Sequence, residues 1–217
     1  MVRKQAPSYL LWFLLSLAAL LFLTLFWLAQ EDKIDFWWSM SFNLSFLLAL
    51  SFFTDRTAFL HLQKEIKEKS LSPIVAGLLA AGILFGFFWA GKTIASHLFS
   101  SAPEAIKAIY SFKEGASSWR IALLMLLVIG PGEEIFWRGT IQQLLAERYS
   151  PRAGFLLTTL IYAAVHLTTG NPLLIAAALV AGLFWGGLYL WRGSILTIVV
   201  SHTVWDILVF IVFPLSN

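Results

Sequence analysis

Ionisable residues interrupt apolar sequence at only a few places in this chain. Glu133, Glu134 and Arg138 lie in IALLMLLVIGPGEEIFWRG, His166 lies in FLLTTLIYAAVHL, and His202 and Asp206 lie in SILTIVVSHTVWDILVFIVF. A charge at the centre of a membrane helix costs about 2.5–3.5 kcal/mol even on the lenient insertion scale, so a charge kept there calls for a function. Glu134 and Arg138 are four residues apart, as are Tyr162 and His166, and His202 and Asp206. Each helix therefore presents one polar face. A carboxylate and a histidine can together hold and deprotonate a water molecule. A second histidine with a polar neighbour can donate hydrogen bonds to a developing oxyanion. That set suits amide hydrolysis without a covalent intermediate. The same side chains could instead bind Zn²⁺ with one position left for water, or relay protons or ions in a carrier. A covalent route lacks its nucleophile, since the chain has no Cys and no G-x-S-x-G pattern. Taken singly, Glu134 and Arg138 read equally well as a structural ion pair, and His166 as a hydrogen-bonded core histidine. Their coincidence in three of the last four apolar runs points to a site.

The elements that must carry these residues follow from composition. Of 217 residues, 59% are hydrophobic and 12% charged, against about 25% charged in a soluble domain. So few polar side chains cannot cover a globule in water. That excludes a soluble enzyme, a disordered chain and a nucleic-acid-binding domain, and makes the lipid bilayer the solvent. A crossing needs about 20 residues. Uncharged runs at 9–29, 36–53 and 73–91 predict three crossings, and runs at about 119–148, 152–168, 173–191 and 195–213 predict four more. The charge-rich stretch 54–72 reads as a helical loop at the membrane surface, and Ala105–Phe112 as an amphipathic surface helix. The expected fold is all-α, a polytopic membrane helix bundle of about seven transmembrane helices. Residues 1–117 supply N-terminal membrane helices and connecting surface segments, and residues 118–217 a catalytic bundle in the last four helices.

Turns at Ser150-Pro151, Gly170-Asn171-Pro172 and Arg192-Gly193-Ser194 separate the later helices. A hairpin turning near residue 150 puts Glu133 and His166 at nearly equal depth. His202 follows its own turn by only about eight residues, or about 12 Å of rise, so a tilt, a kink or a break after Arg138 must raise it. Pro131 removes a backbone donor one turn before the glutamates, so a kink is expected there. The Gly82/Gly86 and Gly182/Gly186 pairs predict close helix packing within the monomer. With the N-terminus in the cytoplasm, nine Lys and Arg lie inside (Arg3, Lys4, Arg56, Lys64, Lys67, Lys69, Arg148, Arg152 and Arg192). Five lie outside (Lys33, Lys92, Lys107, Lys113 and Arg120), which favours that orientation.

Three motifs in order carry a resemblance. Glu133-Glu134-Ile-Phe-Trp-Arg138 resembles the E-E-x-x-x-R motif of the CPBP intramembrane protease family, which includes CAAX prenyl proteases and bacteriocin-processing or self-immunity proteins. Tyr162-Ala-Ala-Val-His166 is similar to its F-x-x-x-H motif, with Tyr for Phe, and His202-Thr-Val-Trp-Asp206 to its H-x-x-x-N/D motif. The resemblance covers about residues 117–213. It implies an endopeptidase in the bacterial cytoplasmic membrane acting on a membrane-anchored protein or peptide. Glu133 would be the general base, activating water with His166. His202 and Asp206 would be the oxyanion pair, and Glu134 and Arg138 would support the site. It implies no cofactor, with zinc the alternative, and no nucleic-acid partner. The prenyl-protein enzymes carry Asn where this chain has Asp206. Asn donates a hydrogen bond and an ionised Asp cannot, so Asp206 either carries a proton or orients His202. The alternatives are a non-proteolytic immunity or scaffold protein of the same fold, and a carrier. Carriers often show two related repeats, and no repeat is visible here.

Overall fold

The computed structural model describes residues 8–216, so Arg3 and Lys4 of the orientation argument lie outside the described residues. The described chain is all helix and turn, with no strand. Its elements are α1 (Ser8–Gln30), α2 (Phe36–Thr54), α3 (Thr57–Lys67), α4 (Ser72–Leu98) and α5 (Ala102–Tyr110). A helical rod follows, made of α6 (Ser118–Leu124), a π-helical turn (Met125–Ile129), α7 (Gly130–Glu133), a longer π-helical stretch (Glu134–Gln142) and α8 (Gln143–Arg148). Then come α9 (Pro151–Ala164), α10 (Pro172–Arg192) and α11 (Ile195–Ile207), the last ending in a π turn (Leu208–Val212).

Five helices are long and apolar enough to cross a membrane: Tyr9–Gln30, Phe36–Thr54, Ser72–Leu98, Pro172–Arg192 and Ile195–Val212. The chain is an integral membrane protein. The other two expected crossings are helical as well. One is the rod, assembled from short pieces, and the other is the 14-residue α9. Large apolar side chains such as Leu20, Phe42, Leu79 and Ile83 face outward, as lipid requires.

Short sequence signals start the later helices. Ser150 accepts a hydrogen bond from Ala153 N ahead of Pro151, and Asn171 accepts from Leu173 N and Leu174 N ahead of Pro172. Ser194 caps α11 by accepting from Thr197 N, just after Gly193 ends α10 at φ +65°. The surface helix α3 also serves α11: Glu65 Oε2 accepts from Leu196 N at 2.9 Å, satisfying a donor that a first helical turn leaves open.

One apolar core joins both halves of the chain, with Leu14, Phe22 and Leu44 packed among Phe136, Trp137 and Trp185. α4 lies along α11, and α9 packs against α8 and α10. The α8–α9 hairpin is tight because of Gly154. A Cβ there would sit 2.6 Å from both Ala146 N and Gln142 O, which are backbone atoms. Gly154→Ala is therefore expected to lower the unfolding midpoint in detergent by about 5 °C. An unchanged melting curve would contradict so close an approach.

The two glycine pairs divide. A Cβ on Gly182 would meet Thr159 at 3.0 Å and one on Gly186 would meet Phe155 at 2.9 Å, so this pair packs within the monomer. Gly82 and Gly86 have open space around them, so the expected intramolecular packing fails there. The reason is rotational: α4 turns Gly77, Ala80, Ala81 and Leu84 inward, and Gly82 and Gly86 lie on its outer side.

Candidate active site

Pro131 stands where the rod changes register. Gly130 N donates to Met125 O, five residues back, so the missing proline donor falls beside a π turn. Directly after Glu133 the rod widens again into the π-helical stretch Glu134–Gln142. Wider turns carry more residues per unit of rise. This break in register at the glutamates, together with the packing of α11 along the rod, brings His202 level with them.

Glu134 is the hub of one arm. Its Oε1 accepts from Arg138 Nη1 at 2.8 Å and from His202 Nδ1 at 2.6 Å. Both glutamates, Arg138, His202 and Asp206 are buried. His202 is stacked on Trp185, with centroids 3.7 Å apart and planes 17° apart. Its Nε2 faces Asp206 Oδ1 at 3.6 Å, an ion-pair distance beyond direct hydrogen bonding. The Arg138 guanidinium also lies 4.7 Å from the ring centroid of Tyr162 and 5.7 Å from that of Trp185.

Glu133 belongs to the other arm. Its Oε2 accepts from the Tyr162 hydroxyl at 2.6 Å. His166 lies just past the end of α9, not inside a helix reaching 168 as expected. Its Nδ1 donates to Tyr162 O at 2.8 Å, which leaves Nε2 as a free acceptor. Its ring packs on Phe26 of α1 at 4.7 Å.

A cavity of about 340 Å³ joins the arms, with Glu133, His166, His202 and Asp206 in its wall. The rest of the lining is mostly apolar and comes from α1, α2, α4, α5, α10 and α11, including Phe26, Trp37, Phe88, Ile106 and Trp185. Helix α5 is tied over the cavity by polar contacts: Tyr110 donates to Val209 O and Asn171 Nδ2 to Ala105 O, each at 2.7 Å. Burial pushes the Tyr110 hydroxyl up to about 12, so it remains a donor.

The structure thus brings all six singled-out residues to one place: Glu134, Arg138 and His202 form one hydrogen-bonded group with Asp206 3.6 Å from His202, and Glu133 and His166 are joined through Tyr162 in the other. It adds Tyr162 and Trp185, which the sequence argument did not count as site residues. Tyr162 was detectable from its spacing to His166 and its departure from Phe. No sequence signal marks Trp185, whose stacking joins α10 to α11. Among the described residues, no three His, Asp or Glu side chains form a group that could hold a metal ion.

Residues 115–208 match one family model, type II CAAX prenyl endopeptidase Rce1-like. This stretch is similar to the domain of CAAX prenyl endopeptidases. That likeness indicates an intramembrane protease. The matched residues include Glu133, Glu134, Arg138, Tyr162, His166, His202 and Asp206. Neither curated proteins nor solved structures gave a match.

Proposed function

We propose that this protease hydrolyses a peptide bond of a membrane-associated protein or peptide by direct attack of water. Glu133 takes the proton from that water and returns it to the leaving amine as the C–N bond breaks, and His166 Nε2 accepts the water's second hydrogen bond. His202, with Nδ1 tied to Glu134, turns Nε2 toward the cavity. When protonated it donates to the developing oxyanion while Asp206 steadies it. Glu134 and Arg138 hold His202 and the rod in register. Residues 118–217 do the chemistry and residues 1–117 supply cavity walls. The rod and α9 make two further crossings, seven in all, with the N-terminus in the cytoplasm. The observation that carries this reading is the shared cavity. An uncommitted imidazole nitrogen and a carboxylate stand with a second, carboxylate-flanked histidine in one mostly apolar wall. An apolar wall suits a substrate whose residues near the scissile bond arrive from lipid.

The test compares membrane peptides, by mass spectrometry, from cells carrying the wild-type protein and cells carrying Glu133→Ala. A precursor that accumulates, with its fragment lost, identifies substrate and scissile bond together. Identical peptide sets at equal expression would refute proteolysis by this site. A second measurement addresses zinc. Water activated by Glu133 and His166 needs no metal, so EDTA or phenanthroline should leave the purified protein's rate within about twofold. Inhibition that only added zinc reverses would restore the metal alternative.

A further inference from the structure

Tyr162 touches Glu133, His166 and Arg138, yet the proposed hydrolysis makes no use of its hydroxyl. That hydroxyl donates to Glu133 Oε2 at 2.6 Å, with both residues buried. The Tyr162 carbonyl accepts from His166 Nδ1, and its ring lies under the Arg138 guanidinium. The charges around it do not balance. Three carboxylates are buried together: Glu133, Glu134 and Asp206. Against them stand Arg138, which pairs with Glu134 at 2.8 Å, and His202, which lies between Glu134 at 2.6 Å and Asp206 at 3.6 Å. Both cations are thereby engaged by the other two carboxylates. Among the described residues Glu133 has no ion pair of its own, and the neutral phenol is its hydrogen-bond partner.

We propose that the Tyr162 hydroxyl is a positioning group that holds Glu133 as an ionised, correctly turned base against the surplus negative charge brought by Asp206. The proposal rests on the reading of Glu133 as the base. Hydrogen bonds to ionised groups are about twice as strong as neutral ones, and low local polarity strengthens both the bond and the repulsion it offsets. Fixing Oε2 on the phenol leaves Oε1 for the water. The carbonyl that orients His166 belongs to the backbone, so it survives any change of the side chain. Tyr162 stands where the quoted F-x-x-x-H motif has Phe, and Asp206 where the prenyl-protein enzymes carry Asn, so the extra donor accompanies the extra carboxylate.

The experiment is a double-mutant cycle in detergent micelles. The substrate is a quenched-fluorescent version of the peptide lost from Glu133→Ala membranes, and rates are normalised to monodisperse protein of measured melting midpoint. Tyr162→Phe keeps the ring and removes only the hydroxyl. It should lower kcat about tenfold and leave KM within about twofold. In an Asp206→Asn background, the same Tyr162→Phe change should cost no more than about twofold in kcat relative to Asp206→Asn alone, which a mere packing defect would not do. An unchanged kcat in Tyr162→Phe overturns the proposal. So does a Tyr162→Phe loss of the same size in the Asp206→Asn background, or one carried by KM. Should Tyr162→Phe prove too unstable to assay, 3-fluorotyrosine at position 162 replaces it. This stronger donor of nearly the same shape should hold kcat at or above wild type, and a tenfold fall would overturn the proposal. Glu133→Gln run alongside separates the two levels. If that variant cuts normally, the base assignment has failed. If it is inactive while Tyr162→Phe is unimpaired, only the role of the hydroxyl has failed.

Discussion

Glu133→Gln should lower kcat by about 10³-fold while leaving a folded, monodisperse protein. Positioned proton transfer contributes about 10²–10⁴-fold, and an amide cannot take the proton. The substitution is nearly isosteric. The Gln carbonyl oxygen still accepts from the Tyr162 hydroxyl, which now holds Glu133 Oε2 at 2.6 Å. Folding should not suffer, because the change removes one buried negative charge from a cluster with three carboxylates. The unfolding midpoint should stay level or rise. Turnover measured on the peptide recovered from membranes decides the matter. A Gln variant cutting at more than a tenth of the wild-type rate would assign the base to another group.

Arg138→Met should act in the opposite way, through the fold rather than the chemistry. Arg138 is 1% exposed and Glu134 is fully buried, with 2.8 Å between them. Removing the cation strands a buried carboxylate, which costs about 3–5 kcal/mol. That is a large part of the 5–15 kcal/mol that stabilises a typical domain. Among the described residues, His202 is then left as the sole hydrogen-bond partner of that Glu134 oxygen. The variant should appear at low level, aggregate on extraction and melt at least about 10 °C early. Pairing it with Glu134→Gln should restore much of the stability, since the carboxylate that Arg138 compensates is then gone too, but not the activity. Size-exclusion profiles and melting curves of both proteins provide the check. A well-folded single variant would show that the pair is not what holds the rod in register.

Much of this architecture could be read from local sequence because its physics is local. An apolar run of about 20 residues can satisfy its backbone only as a helix in lipid, and Ser-Pro, Asn-Pro and Gly-Ser place the helix starts within a residue or two. The membrane class, the five long helices and the surface helices at α3 and α5 follow from that. So does the pairing of Glu134 with Arg138, since four-residue spacing lies within one helical turn. The rod was harder to read. Its stretch was legible as helix, but a π register depends on what presses on the helix from outside. The outward-facing Gly82 and Gly86 mislead for a related reason: a small-residue spacing is the same whether or not a neighbour is present.

Residue types and their spacing in the chain determined the chemical inventory: two histidines and three carboxylates on apolar helices, with no nucleophile. They also aligned Glu133 and His166 in depth, because one hairpin relates the two. Only the tertiary structure decided how the six residues divide. His202 Nδ1 is joined to Glu134 across 68 positions, and Glu133 to Tyr162 across 29. The stacking of Trp185 on His202 and of Phe26 on His166 likewise comes from helices distant in sequence. The physical reason is that helix periodicity orders side chains along one rod, whereas the contacts between rods depend on packing, tilt and register that no single segment encodes.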